Sequence, residues 1–278
     1  DPAWAGDGKM IRVKCDYRLV IDNLMDLTHE TFVHGSSIGN RAVAEAPFVA
    51  THGDRTATVT RWMENIEAPP FWAGQIQQAR GYSGPVDRWQ IIRFEAPCTV
   101  AIDVGVAPAG SGAPQGDRSQ GVNGFVLNTI TPETDNTCLY FWAFARNYSL
   151  GEQRLTHQLR EGVASIFRED EFVLEAQQKA IEEHPDHKFY NLNIDAGAMW
   201  ARRLIDRMVD AEKGTPGSGV MRKLARRGSD GGSSRRRASG GGFPAGGAGA
   251  QIAREPTGGG GWFGGAQEAG LVPPRQVL

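Results

Sequence analysis

"CLYFWAFARNYSLGEQRLTHQLREGVASIFRED", residues 138–170, changes its period halfway along. Up to Tyr148 it is a run of aromatic and small apolar residues, in which Trp142 and Phe144 stand two apart and so share one face of a strand. After Gly151 the apolar residues fall at Leu155, Leu159, Val163 and Ile166, a single stripe at helical spacing that continues through Val173, Leu174, Ala176 and Ala180. A strand that hands over to a long amphipathic helix sets the order of the fold.

Upstream, the same strand grammar repeats. "GFVLNTI" (124–130) precedes the turn residues 131–136, "RWQIIRFEA" (88–96) and "CTVAIDVGVA" (98–107) flank Ala96-Pro97, and "FVATHGDRTATVTRWM" (48–63) bends at His52-Gly53-Asp54. Successive hairpins imply an antiparallel sheet. Downstream, "AMWARRLIDRMV" (198–209) is a further amphipathic helix. Strands first and long helices last predict an α+β domain: a curved antiparallel sheet packed by a long C-terminal helix, a helix-grip or START-like arrangement. At the start, "IRVKCDYRLVID" (11–22) alternates and reads as a strand, and "DNLMDLTHETFVH" (22–34) reads as a short helix capped by Asp22 or Asn23 and stopped by Gly35. Two long inter-strand segments, 68–85 and 107–121, are expected to be pocket lids or mobile loops.

The 278 residues carry 30 Lys+Arg against 32 Asp+Glu, but unevenly. Residues 1–212 are acidic overall and contain all three cysteines. Residues 213–278 are basic and hold more than half of the 36 glycines. So little apolar surface cannot offset the entropy of ordering a chain. The organisation expected is one globular domain, 1–212, and a disordered Gly/Arg/Ser-rich tail, 213–278. "RKLARRG" and "SSRRRAS" could tether an anionic surface, but an inert linker or an out-of-frame product is the preferred reading of the tail, and no nucleic-acid partner is expected. Cys15, Cys98 and Cys138 are odd in number and widely spaced, which suggests neither a disulfide framework nor a cysteine zinc site. With no run of about 18 apolar residues and no signal-like start, a cytoplasmic protein without a membrane partner is expected.

Within "DLTHETFVHG" (26–35) the second histidine stands one residue too late for the zinc-protease pattern His-Glu-x-x-His. Residues five apart on a regular helix lie roughly 140° from one another, so His29 and His34 converge only where the helix ends or is distorted. Asp26, three before His29, shares its face. Interleaved Leu24, Met25, Phe32 and Val33 bury part of this segment, and buried imidazoles and carboxylates need partners.

The string Asp22-x3-Asp26-x2-His29-x4-His34 resembles the mononuclear iron motif of the Rieske non-haem iron oxygenases, and "DYRLVIDNLMDLTHETFVHGSSIG" is similar in particular to members that O-demethylate methoxybenzoates. The resemblance extends over residues 1 to about 212. It implies that His29 and His34 ligate Fe(II), with a third ligand from an aspartate on the long helix. "FREDEFVLEAQQ" (167–178) makes that Asp170, although Glu169 and Glu171 are adjacent alternatives on residue chemistry alone. Two imidazoles and a carboxylate leave coordination positions open for dioxygen and substrate. Asp26 is implied to hydrogen-bond the first histidine and to bridge electron transfer from a Rieske cluster in a neighbouring subunit, and Glu30 has no catalytic task.

By the same resemblance, the activity is oxidative O-demethylation of vanillate or a related methoxybenzoate: hydroxylation of the methyl carbon, then collapse of the hemiacetal to a catechol and formaldehyde. Its requirements are O2 and two electrons from NADH through a flavin and iron–sulfur reductase, in a homotrimer. The Cys-x-His and Cys-x-x-His pairs of a Rieske [2Fe–2S] centre do not occur in this sequence. "DPAWAGDGKM" resembles the linker after that domain, so the expectation is a catalytic domain inactive alone. Asn128 on an apolar strand and Phe71 and Trp72 in the first long loop are the candidate substrate contacts, with Arg93 and Arg146 as candidates for a carboxylate clamp. The competing readings are a non-catalytic binder of hydrophobic ligands and zinc-dependent hydrolysis.

Overall fold

The computed structural model describes residues 1–213 and, as backbone, 251–254. Eight strands form one sheet: β1 (Ala5–Val13), β2 (Phe48–His52), β3 (Thr56–Ile66), β4 (Val86–Glu95), β5 (Thr99–Pro108), β6 (Val122–Thr134), β7 (Thr137–Arg146) and β8 (Gln251–Arg254). Their order is β1-β7-β6-β5-β4-β3-β2-β8, antiparallel except for β8, which runs parallel to β2. The hairpins read from turn chemistry are all present. Four residues of the segment expected to be wholly disordered therefore add a strand to the edge of β2, whose outward backbone groups otherwise lack a sheet partner. The rest of the expected tail beyond Lys213 lies outside the described residues.

The helices in chain order are α1 (Tyr17–Met25), α2 (Glu30–Val33), α3 (Arg41–Glu45), α4 (Pro70–Arg80), α5 (Gln153–Glu183) and α6 (Ala196–Lys213), of which α1, α5 and α6 cover one face of the sheet. α5 carries the apolar stripe only as far as Leu174, with Leu155, Leu159, Val163, Ile166 and Leu174 buried; Val173, Ala176 and Ala180, also assigned to it, are exposed. Arg146, proposed as a carboxylate clamp, instead joins sheet to helix. Its guanidinium donates to Thr156 Oγ1 at 2.8 Å and to the carbonyls of Ser149 and Glu152 at 3.0 Å, tying the end of β7 to the start of α5. Arg93 is exposed on the opposite face, between buried Ile92 and Phe94.

Three sequence readings are corrected. The strand read at 11–22 stops at Val13, because Asp16 caps a helix: its carboxylate accepts from the Arg18 amide at 2.9 Å, and α1 follows. Segment 68–85 contains α4 (Pro70–Arg80), with Pro70 in the first turn and Gly81 left-handed (φ 68°) at its end. That proline-to-glycine bracket is a legible helix signal. Segment 107–121 is a loop, but not a lid on the core side. Ala113 is buried against Trp89 and Ala107, and Arg118 lies 4.5 Å over Trp89 while bonding Asp103 at 2.6 Å. Trp89 alternates with the inward-facing Arg88 and Gln90, so this satellite cluster sits on the sheet's outer face.

Candidate metal centre

The segment expected to be one helix over 22–34 is three pieces. α1 ends at Met25, and Asp26 is extended (φ −127°, ψ 98°). A 3₁₀ turn, Leu27–His29, follows, and then α2 (Glu30–Val33). Asp22 is not a cap but pairs with Arg202 of α6. The Asp26 carboxylate accepts from the Thr28 amide at 2.9 Å, capping the new turn. His34 stands just beyond α2 with non-helical dihedrals (φ −113°, ψ 26°). The departure from helix at His34 relieves the angular conflict, and the His29 and His34 rings approach to 5.2 Å between centroids.

Both rings aim their inner nitrogens at one carboxylate. His34 Nε2 lies 3.1 Å and His29 Nε2 3.3 Å from Asp170 Oδ1, and Asn23 Nδ2 donates to the same oxygen at 3.1 Å. One donor atom from each of His29, His34 and Asp170 lies within 4.8 Å of the others, the one such grouping of three among the described residues. Asp170 continues the buried stripe of α5, four residues after Ile166 and four before Leu174. Glu169 instead reaches the outer nitrogen of His34, with Oε2 2.6 Å from Nδ1. Glu171 contacts neither histidine in any hydrogen bond or ion pair described.

The outer nitrogen of His29 faces the Asp26 main-chain carbonyl at 2.7 Å. Asp26 therefore meets His29 through its backbone, while its side chain serves the turn. Burial pushes the His34 imidazole down, but the hydrogen bond and charge of Asp170, together with Glu169, outweigh it and hold the group up at about 9. His29 is raised by the same contest of burial against Asp170 and the Asp26 carbonyl. Burial pushes the Asp170 carboxyl up, yet its bonds to His29 and His34 and their charges hold it down to about 2. Two nitrogens and one oxygen within 4.8 Å of one another, each imidazole with an acceptor behind it, fit a divalent metal ion of intermediate hardness.

The three residues are among those that line a cavity of about 80 Å³. Phe71, Trp72, Phe144, Phe167, Val104 and Val126 are among its apolar walls. A side chain at Gly124 would stand 2.8 Å from the Phe144 ring and 3.2 Å from Trp72, so the glycine leaves these rings their space. Of the expected substrate contacts, Phe71 and Trp72 line the cavity, but Asn128 does not. Its amide donates to the Val100 carbonyl at 3.0 Å and accepts from the Tyr140 hydroxyl at 2.7 Å, both in the core. A polar group in an apolar strand needed a partner, and the protein itself supplies it.

Sequence reasoning missed a buried ion pair in the cavity wall. Glu30 Oε2 accepts from Arg88 Nη2 at 2.8 Å and Gln90 Nε2 at 2.9 Å, all three residues being almost completely buried. Arg88 and Gln90 occupy alternate, inward positions of β4; polar residues at two successive inward positions were the available signal.

Residues 13–211 match the family described as vanillate O-demethylase oxygenase C-terminal domain. The chain is 47% identical over 216 residues to the vanillate O-demethylase oxygenase subunit of Pseudomonas sp. (strain ATCC 19151), a match covering 77% of this chain and 65% of that protein. Over 217 residues it is 35% identical to the toluene-4-sulfonate monooxygenase system iron–sulfur subunit of Comamonas testosteroni, covering 77% and 61%. The crystal structure of dicamba monooxygenase bound to 3,6-dichlorosalicylic acid superposes with a TM-score of 0.69 at 27% identity, over 77% of this chain and 61% of that one. The chain thus spans less than two thirds of the length of these relatives.

Proposed function

Because the chain belongs to the vanillate O-demethylase oxygenase C-terminal domain family, we propose that it is the mononuclear iron domain of an aromatic O-demethylase, residues 1–212 being the functional unit. The observation that carries this reading is the convergence of His29 Nε2 and His34 Nε2 on Asp170 Oδ1 in the wall of a cavity otherwise lined largely by aromatic and aliphatic side chains. His29, His34 and Asp170 are the ligand set. Iron(II) bound there supplies dioxygen activation and the two-electron oxidation of a methoxy carbon.

The chain's own residues prepare and shield the site. The Asp26 carbonyl and Glu169 hold the two imidazoles by their outer nitrogens, so that both inner nitrogens face the metal position. Asn23 steadies the Asp170 carboxylate. Phe71, Trp72, Phe144 and Phe167 receive the arene and exclude water. The arene so received is a methoxybenzoate such as vanillate. O2 is the co-substrate, and electrons come from NADH through a flavin and iron–sulfur reductase and a Rieske [2Fe–2S] cluster. A homotrimer brings one subunit's cluster to the next subunit's Asp26. Among the described residues no helix is long and apolar enough to cross a membrane.

Zinc hydrolysis is disfavoured because Glu30, the base it would need, is bonded to Arg88 and Gln90. A non-catalytic binder leaves a half-buried imidazole, a fully buried one and a buried carboxylate without a purpose. The test is an anaerobic Fe(II) titration followed by addition of hydrogen peroxide and vanillate. Peroxide carries both the oxygen atom and the oxidising equivalents, giving a catechol, formaldehyde and water. One iron per chain and formaldehyde release over a few turnovers are expected, both lost in Asp170→Ala. Undiminished formaldehyde in that variant overturns the assignment, and iron binding with no formaldehyde removes the demethylase reading.

A further inference from the structure

The two histidines are held from behind in unequal ways. His29 Nδ1 meets a neutral acceptor from its own turn, the Asp26 carbonyl at 2.7 Å. His34 Nδ1 meets a carboxylate from a distant helix, Glu169 Oε2 at 2.6 Å. Glu169 and Asp170 are consecutive on α5, and the His34 ring lies between them, with one carboxylate at each nitrogen. The main chain of His34 is tied as well. Its carbonyl accepts from the amides of Ser37 and Gly39 at 3.0 and 2.9 Å. Gly39 sits so close to the Glu30 carbonyl that an added Cβ would stand 1.9 Å away. With the backbone fixed, the ring's remaining freedom is rotation of the side chain and the choice of tautomer.

We propose that Glu169 is a positioning residue that settles both. By accepting from Nδ1–H it fixes the tautomer with Nε2 free for the metal, stops the ring from turning, and makes His34 the stronger of the two imidazole donors. A hydrogen bond to a charged acceptor is about twice as strong as one between neutral groups, and loss of such an outer partner costs roughly 10–100-fold in metal affinity. Glu169 makes this contact while its side chain is 41% exposed, so its replacement removes no buried carboxylate; it does leave the Nδ1–H of the 1%-exposed His34 without its acceptor, and Glu169→Gln, which keeps an acceptor, controls for that cost. The inference rests on reading His29, His34 and Asp170 as a metal site, and the test separates the two.

Affinity for Co(II) and for Fe(II) under anaerobic conditions is measured by chelator competition for the wild type and for Glu169→Ala, Glu169→Gln, Glu171→Gln, His34→Ala and Asp170→Ala. Glu169→Ala is expected to bind about 10–100-fold more weakly and Glu169→Gln, which keeps an acceptor but loses the charge, to fall between it and the wild type. Glu171→Gln should match the wild type. Proton NMR of the Co(II) form supplies a readout that a packing role would not move. Two slowly exchanging, paramagnetically shifted ring N–H signals are expected in the wild type; the His34 signal should vanish or exchange rapidly in Glu169→Ala while that of His29 persists. If the wild type binds neither metal, or His34→Ala and Asp170→Ala bind like the wild type, the metal reading fails. If those controls behave but both Glu169 variants keep wild-type affinity and both N–H signals, the positioning role alone is overturned. Should Glu169→Ala not fold, Glu169→Gln decides by the same criteria.

Discussion

Two segments supply the candidate metal centre, and they do so by opposite means. α5 is a regular 31-residue helix that delivers Asp170 as one more position on a stripe of buried residues. The 22–34 segment delivers His29 and His34 only by ceasing to be a helix at Asp26 and again at His34. A regular helix can place one ligand with high precision at no conformational cost. It cannot place two that are five residues apart. The irregular segment solves that problem, and its outer supports are correspondingly elaborate: a side-chain cap on Thr28, a backbone carbonyl behind His29 and a carboxylate borrowed from α5 behind His34.

The largest effect should come from removing the shared focus of both segments. Asp170→Ala is expected to abolish stoichiometric iron binding, as measured by metal analysis after gel filtration. Retained iron would mean that the histidine segment suffices and the helix contributes only packing. Next, deletion of Thr31 would convert the spacing to His-Glu-x-x-His. If the irregular geometry is what matters, metal affinity falls by at least about 100-fold, or about 2.7 kcal/mol. A variant that bound zinc or iron as tightly as the parent would show that the non-helical exit at His34 is incidental.

The support beneath the irregular segment is a stability question. Arg88→Met strands the Glu30 carboxylate in the cavity wall, and breaking a buried pair costs about 3–5 kcal/mol. A large drop in the thermal midpoint is expected, and an unchanged midpoint would mean that the ion pair does not hold the wall together.

The metal-free protein should also respond to pH on both sides. His34 is raised from 6.5 to about 9, so its contribution is fully present below pH 6.5 and lost as pH rises through about 9. Asp170 is lowered from 3.8 to about 2, so its contribution is present above 3.8 and lost as pH falls through about 2. In chelator, the unfolding free energy should plateau between these limits and decline on both flanks. Bound metal, which takes the place of the proton on Nε2, should remove the alkaline decline, and a decline that persists with metal bound would place the cause elsewhere. The smallest effect is expected from Asp26→Asn. It keeps both the main-chain carbonyl behind His29 and an acceptor for Thr28, so metal affinity should shift by less than about threefold, well below the 10–100-fold loss typical of an outer partner. A loss as large as that expected for Glu169→Ala would show that the Asp26 carboxylate, not its carbonyl, acts on the site.

Periodicity in the sequence was enough to determine the sheet, the long helices and their order, because alternation and helical stripes are local consequences of which face is buried. It also brought out both histidines, through their spacing and apolar neighbours. The same stripe held a stronger signal for Asp170 than its acidic neighbourhood: Leu155, Leu159, Val163, Ile166, Asp170 and Leu174 form one series, and an acid at a core position needs a partner, whereas Glu171 falls off the series. The tertiary structure alone decided the rest. The break at Asp26, the ring of His34 held between Glu169 and Asp170, the commitment of Asn128 to Val100 and Tyr140, and the folding of 107–121 over the outer face each depend on which partner packing brings close. The contact between His34 and Asp170 spans 136 positions. A local pattern can show that a buried polar group needs a partner; only the packed chain, where solvent is excluded and distances are fixed, decides which one it gets.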